Sequence, residues 1–336
     1  VKAFVLAAGL ATRFRPVTER VPKALLRFLN VPLVRRRLSR LARLGVCEAA
    51  VNLHHEGRQI VEHLTQTPVP GIAVRFFREP EILGTAGGLK NAESFLEDED
   101  FLVWNVDAEL EFDLVGLSAA HRAASALATL LVAPNPDPSR FTPLSVSAGR
   151  VKAIGEDSSQ PFLYTGVCVL SPRALRLLPA GRASLVPDLW QPALVEGMEA
   201  IAAVTHHGDF FDLGTPADFL AASLRALESR QDFEPAEGIF DRERKVLSRS
   251  SLEAGATVQY SVIGRCNLGR RATVRNSVLW DGADVPARAE VSGCLVGPVV
   301  LRAESRFSDA LLWPSQAGGL EAQGLHGFHR ASPAVK

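Results

Sequence analysis

The sequence predicts an α/β domain built on a mostly parallel sheet, followed by a small parallel β-helix. Three observations predict it. Short apolar runs alternate with amphipathic stretches from the first residues to about position 225. The first of these runs leads straight into a loop of small residues, Val5-Leu6-Ala7-Ala8-Gly9-Leu10-Ala11-Thr12-Arg13-Phe14-Arg15-Pro16. Beyond about residue 235 the texture changes to valine-rich units of six.

Ala3–Ala7 is wholly apolar, as a strand buried on both faces should be. Leu33–Leu44 carries apolar residues at 33, 34, 38, 41 and 44 with arginines between them, an amphipathic helix ended by Gly45. Glu48–Leu53 returns as a strand, Arg58–Thr65 reads as a helix, and Ala73–Phe77 as a strand. Thr85–Phe95 is a glycine-opened helix, Phe101–Val106 a buried strand and Asp113–Ala124 a helix. Leu127–Val132, Leu144–Ser147 and Leu163–Leu170 continue the sheet, and Asp188–Glu196 and Pro216–Glu228 are helical in pattern.

Four hexads then share one template: Leu252–Thr257, Leu268–Thr273, Val285–Glu290 and Leu301–Arg306. Each opens on an aliphatic residue and carries Ala or Ser at its fifth place. Their starts lie 16, 17 and 16 residues apart. Such a period suits the hexapeptide-repeat, left-handed β-helix, whose coils bury only against neighbouring coils. The expected organisation is an α/β domain over 1–232, the β-helix over 240–314 and a flexible tail over 315–336. Residues 240–314 contain no histidine, so the β-helix is expected to be structural, its flank an assembly surface for a homo-oligomer.

At 336 residues the chain is long enough for a full core. Lys+Arg equals Asp+Glu at 37 each, so no basic field invites nucleic acid. No apolar run reaches the ~18 residues of a membrane span. The first strand begins at the start of the sequence and leaves no room for a leader, so a cytoplasmic protein is expected. Cys47, Cys168, Cys266 and Cys294 are scattered and read as buried free thiols. His54, His55, His206 and His207 read as surface or loop residues.

The small-residue loop points to a nucleotide. Backbone N–H groups from Ala8 to Thr12 can approach a polyphosphate closely, and Arg13 and Lys23 supply positive charge. The loop is neither G-x-x-x-x-G-K-[ST] nor G-x-G-x-x-G. Asp107 follows an apolar strand, where ligands of such sheets collect. Glu109, Glu111 and Asp113 read as solvated or capping residues.

Taken together, Leu6–Lys23, Phe28–Leu33, Leu83–Leu89, Asn105–Asp107, Thr165–Val167 and Phe211–Leu220 resemble the sugar-1-phosphate nucleotidyltransferases. The branch most resembled is the mannose-1-phosphate guanylyltransferases. The resemblance covers both domains and implies a Rossmann-like catalytic fold with a left-handed β-helix. It implies attack of a sugar 1-phosphate on the α-phosphorus of an NTP, GTP favoured, releasing pyrophosphate. Arg13 would then hold the β- and γ-phosphates and Lys23 the α-phosphate, with Asp107 and Asp212 sharing Mg²⁺. Gly84, Thr85, Gly87 and Asn105 would meet the nucleotide, and Glu156, Thr165 and Gly166 the sugar. Gly87 stands in place of a glutamine found in thymidylyl- and uridylyltransferases. Three departures stand out: Ala11 replaces a usual glycine, Arg27 a usual proline or acidic residue, and Asp157 a usual sugar-phosphate lysine. Lys152 or Lys90 is the expected substitute for the last. A uridylyltransferase acting on another sugar 1-phosphate, or a sugar-nucleotide-binding regulatory paralogue, are the alternatives.

Overall fold

The computed structural model describes residues 1–155, 161–195, 201–228, 236–250 and 255–325. The chain forms two compact units. One comprises Val1–Leu10, Val21–Leu25 and Val34–Phe210; the other comprises Ala11–Arg20, Leu26–Leu33 and Phe211–Lys336. This division departs from the expected boundary near residue 232, and aromatic packing explains why. Phe14 and Phe28 each meet Phe219 edge-on at 5.7 Å, and Trp280 Nε1 donates to Arg27 O at 3.0 Å. Two N-terminal segments are thereby built into the C-terminal unit.

The first unit is organised by a nine-stranded sheet. Its spatial order is Ala73–Arg78, Glu48–Leu53, Lys2–Leu6, Phe101–Asn105, Phe162–Leu170, Ala128–Pro134, Ile201–Thr205, Arg150–Ile154 and Leu144–Ser147. The first four strands run parallel, and Ala3, Phe4 and Val5 of the inner one are fully buried. Phe162–Leu170 enters antiparallel to both of its main neighbours. Ile201–Thr205 pairs parallel with Ala128–Pro134, and the last two strands are antiparallel. The sheet is therefore mixed, which corrects the expectation of a mostly parallel one. An apolar run buries equally well in either direction, so hydrophobicity alone does not report strand polarity. Ala148 and Gly149, at φ of 50° and 70°, make the tight turn between Leu144–Ser147 and Arg150–Ile154.

In the second unit, short parallel strands stack in register on three faces. Val246–Ser248, Ser261–Ile263, Val278–Leu279, Leu295–Val296 and Ala310–Pro314 form one. Thr257–Gln259, Thr273–Arg275, Glu290–Ser292 and Arg306–Ser308 form the second, and Asn267–Leu268 with Asp284–Val285 the third. Ile263, Val274, Val285, Val291 and Val296 point one aliphatic group after another into a shared core. The predicted flexible tail is corrected over its first residues: Leu320–Gly324 pairs antiparallel with Ala310–Pro314. The hexad beginning at Leu252 lies partly outside the described residues.

All four cysteines are free, and Cys47 is exposed rather than buried. Burial pushes the Cys168 thiol up to about 12 and those of Cys266 and Cys294 up to about 11. His206 is also buried, its Nε2 3.2 Å from Asp209 O.

The helix Leu33–Arg43 hides charge as well as apolar surface. Arg36, Arg37 and Arg40 lie at 0–2% exposure and converge on Glu109, itself fully buried in the strand Ala108–Leu110. Arg36 Nη2 and Arg40 Nη2 reach Glu109 Oε1 at 2.6 and 2.8 Å, and Arg37 Nη2 donates to Oε2. Arg40 also meets Glu111 at 2.8 Å, while Asp113 takes the N-cap position of the helix Leu114–Ala124. Glu109 is thus a buried counter-ion, not a solvated loop residue. Burial, reinforced by the Arg36 charge, pushes Arg40 down to about 9. Removing one partner of a buried ion network strands the others. Glu109→Gln is expected to lower unfolding free energy by about 3–5 kcal/mol, read as a fall in urea midpoint.

Candidate functional site

The exit of the first strand is fixed by backbone and side-chain bonds within the first unit. Val106 N donates to Leu6 O at 3.1 Å, drawing the turn after Phe101–Asn105 beside the exit. Ala7 N and Ala8 N donate to Asn52 Oδ1 at 2.6 and 3.2 Å. The Ala8 N–H is therefore taken by the protein, which corrects its assignment as a phosphate donor. Gly9 and Leu10 are exposed, and a side chain at Gly9 would meet nothing within 4 Å. That is the open backbone a phosphate needs.

Lys23 lies in the single turn Lys23–Leu25 with only 7% of its side chain exposed. Its Nζ meets Asp107 Oδ2 at 2.5 Å. A buried ammonium requires such a partner. Two predicted site residues, one cation and one carboxylate, thus meet at the sheet rim. Asn105 ends the neighbouring strand, and its Oδ1 is buried with no hydrogen-bond partner among the described residues. Gly166, at φ +85°, lets its backbone pass over that side chain: a methyl there would sit 2.9 Å from Asn105 Nδ2. Thr165 is 1% exposed and its hydroxyl donates to Leu131 O at 2.8 Å, so it serves the sheet rather than a sugar. Glu156 and Asp157 lie outside the described residues.

The glycines of the helix Gly84–Asn91 answer to the protein's own backbone. A methyl at Gly84 would sit 2.5 Å from Ala183 O, and one at Gly87 2.2 Å from Gly181 O. Thr85 Oγ1 accepts from Leu185 N at 2.8 Å. The room expected for a purine beside Gly84 and Gly87 is filled by residues 181–185. Lys90 donates to Glu93 Oε1 at 2.8 Å and to Leu175 O at 3.0 Å, so it does not substitute for the missing lysine. Lys152 is exposed on the strand Arg150–Ile154.

Two residues absent from the sequence-based set stand out here. Asn52 and Glu79, 2% and 4% exposed, bond to each other at 2.7 Å. Both close parallel strands at their carboxyl ends, Asn52 within the apolar run Ala49–Leu53 and Glu79 just after Phe76-Phe77-Arg78. Polar residues at that place were the available signal.

In the second unit Ala11 sits at φ 47°, ψ 49°, the left-handed conformation expected of the glycine it replaces. Thr18 Oγ1 donates to Ala11 O at 2.9 Å, and Thr12 and Arg13 follow in a single exposed turn. Asp212 ends the strand Phe210–Asp212. A methyl at Gly214 would lie 2.6 Å from Arg13 Nη2 and 2.8–2.9 Å from both Asp212 oxygens. Arg13 and Asp212 therefore share the space over Gly214. Thr215 then caps the helix Pro216–Ala226, accepting from Asp218 N at 3.1 Å. Ala11→Gly is expected to raise unfolding free energy by up to about 1 kcal/mol, because glycine removes the Cβ penalty at positive φ; a urea titration reads it.

No described helix is long and apolar enough to cross a membrane. Residues 2–229 match the family model "Nucleotidyl transferase". The mannose-1-phosphate guanyltransferase of Eremothecium gossypii is 29% identical over 238 residues, 68% of this chain and 65% of that protein. The Saccharomyces cerevisiae protein of the same name is 28% identical over 244 residues, 70% and 67% of the two chains. The matched stretch spans about two thirds of the length of these curated relatives. Among solved structures, HddC from Yersinia pseudotuberculosis superposes with a TM-score of 0.59 at 24% identity, covering 67% of this chain and 98% of its own. UDP-glucose pyrophosphorylase from Acinetobacter baumanii gives 0.58 at 19%, covering 68% and 94%. These two likenesses speak to the fold alone. With the family model matched over most of the chain, this protein belongs to the nucleotidyl transferase family.

Proposed function

We propose that the protein transfers the guanylyl group of GTP to mannose 1-phosphate, forming the nucleoside-diphosphate sugar and pyrophosphate. The observation that carries this reading is the buried Lys23 held on Asp107 at the sheet rim, within a member of this family. The similarity to mannose-1-phosphate guanyltransferases supports the choice of sugar and base.

The nucleophile, a phosphate oxygen of the sugar 1-phosphate, is already anionic at neutral pH. No general base is needed. The protein's task is to place two anions in line and to neutralise charge growing on the α-phosphoryl group. Lys23 takes the α-phosphoryl charge, and Arg13 takes the β- and γ-phosphates and the departing pyrophosphate. The open backbone of Gly9, Leu10 and Thr12 completes the phosphate loop, and the Asn105 carbonyl oxygen accepts from a substrate hydroxyl.

Asp107 and Asp212 would hold Mg²⁺. Hard carboxylate oxygens suit that ion, and Asp107 is reachable from solvent at 27% exposure. Among the described residues no three His, Cys, Asp or Glu side chains cluster, so the remaining ligands would come from phosphate and water. When bound, the ion adds charge neutralisation across the phosphates. The stacked strands are read as a left-handed β-helix whose flank joins copies of the chain; a monomer by light scattering at micromolar concentration removes that part.

The test is pyrophosphate release from each of the four NTPs with a panel of sugar 1-phosphates, with and without Mg²⁺. GTP with mannose 1-phosphate and Mg²⁺ is expected to be the best combination. Lys23→Ala should lower kcat by about 100- to 1000-fold. Gly214→Ala, by displacing Arg13 and Asp212, should cost about 100-fold with the fold retained by circular dichroism. No turnover with any pair overturns the reading.

A further inference from the structure

The carboxyl ends of three neighbouring parallel strands are joined by one buried polar chain. Asn52 Oδ1 accepts from Ala7 N and Ala8 N at 2.6 and 3.2 Å. Asn52 Nδ2 donates to Glu79 Oε1 at 2.7 Å, and Glu79 Oε2 accepts from Leu83 N at 3.1 Å. Leu83 is the N-cap of the helix Gly84–Asn91. The same helix leaves space for the pair. A methyl at Gly88 would lie 2.7 Å from Glu79 Oε1 and 2.9 Å from Asn52 Nδ2.

Each link has a fixed polarity. The two alanine N–H groups can only donate, so the Asn52 oxygen must face them. Its amide nitrogen then needs a pure acceptor, and so does Leu83 N. A carboxylate satisfies both; a glutamine in place of Glu79 would set a donor against a donor in either orientation. The bonds of Asn52 to Ala7 N, Ala8 N and Glu79 are buried, so none of them is exchanged for a water bond at no cost. The pair is therefore poor surface decoration and a good device for fixing a backbone.

We propose that Asn52 and Glu79 are positioning residues. They clamp Ala7 and Ala8 so that the next peptide units, at Gly9 and Leu10, are presented to the nucleotide's phosphates. They also tie that presentation to the start of the Gly84–Asn91 helix. The phosphate half of this assignment rests on the function proposed above; the clamp itself does not.

Reversing the polarity tests it. Glu79→Gln creates the donor–donor conflict, and Asn52→Asp sets two carboxylates in contact. The double variant N52D/E79Q restores every bond with the same net charge. Its introduced carboxylate accepts from Ala7 N, Ala8 N and the introduced amide nitrogen, and the introduced amide oxygen accepts from Leu83 N. Gly88→Ala crowds the pair without changing it. Two readouts are taken on the full chain. Amide exchange at Ala7 and Ala8 should quicken about tenfold in E79Q, N52D and G88A, and return toward the parent rate in N52D/E79Q. With GTP and Mg²⁺ as the probe, KM for GTP should rise about tenfold in the same three variants, with kcat and KM for mannose 1-phosphate within about threefold, and recover in the double variant. Unchanged exchange in the single variants, or a double variant no better than they are, overturns the clamp. Altered exchange with an unchanged KM for GTP overturns the presentation of Gly9 and Leu10. If the parent itself neither binds nor consumes GTP, the proposed function falls while the exchange rates still decide the clamp.

Discussion

The Lys23 ammonium is held almost out of water, and the carboxylate that meets it dictates where the chain can run after the fourth parallel strand. Asp107 stands between two rigid supports. Behind it, Phe101–Asn105 is locked beside the first strand. Ahead of it, Ala108 O and Leu110 O accept from Arg37 and Arg40 at 2.8 and 2.7 Å, and Trp104 Nε1 reaches the same Ala108 O at 3.0 Å. The arginines are themselves neutralised by Glu109. One buried charge thus rests on another. The rim carboxylate owes its position to a network two residues further along the chain, where no substrate reaches.

The glycines divide into two kinds under the same physics. Gly9 faces open space, whereas Gly84, Gly87 and Gly88 face atoms of the protein at 2.2–2.7 Å from where a Cβ would stand. Absence of a side chain leaves open backbone in the first case and permits close backbone packing in the others. The motif Leu83–Leu89 is therefore first a packing motif: it brings a helix start against residues 181–185 and over the Asn52–Glu79 pair.

Much of the architecture was legible. Apolar runs such as Ala3–Ala7 and Phe101–Trp104 announced strands covered on both faces, and the spacing of the hexads announced strands that stack every 16 or 17 residues. At Ala11 the resemblance marked the place of a usual glycine, and the backbone there is left-handed. What escaped was information that residue type does not carry. The polarity of Phe162–Leu170 depends on its neighbours. Arginines between apolar positions look like a solvated face until a glutamate from another strand arrives among them. Asn52 and Glu79 are far apart in sequence, and only the parallel pairing of their strands makes them one unit. The Lys23–Asp107 pair, and the approach of Arg13 and Asp212 to Gly214, joined residues already singled out. Thr165 and Lys90 were spent on internal bonds that no motif announces.

The longest face of the stacked unit is finished at both extremities by a change of direction. Ile239–Asp241 lies antiparallel on Val246–Ser248, and Leu320–Gly324 lies antiparallel on Ala310–Pro314. A parallel array with bare termini is a template on which a second array could continue, coil upon coil, into a fibre. Here each terminus offers a strand of the wrong polarity, and the outer one carries Glu321 and Gln323 along an exposed length. On this face, continuation of the parallel array along the axis is disfavoured.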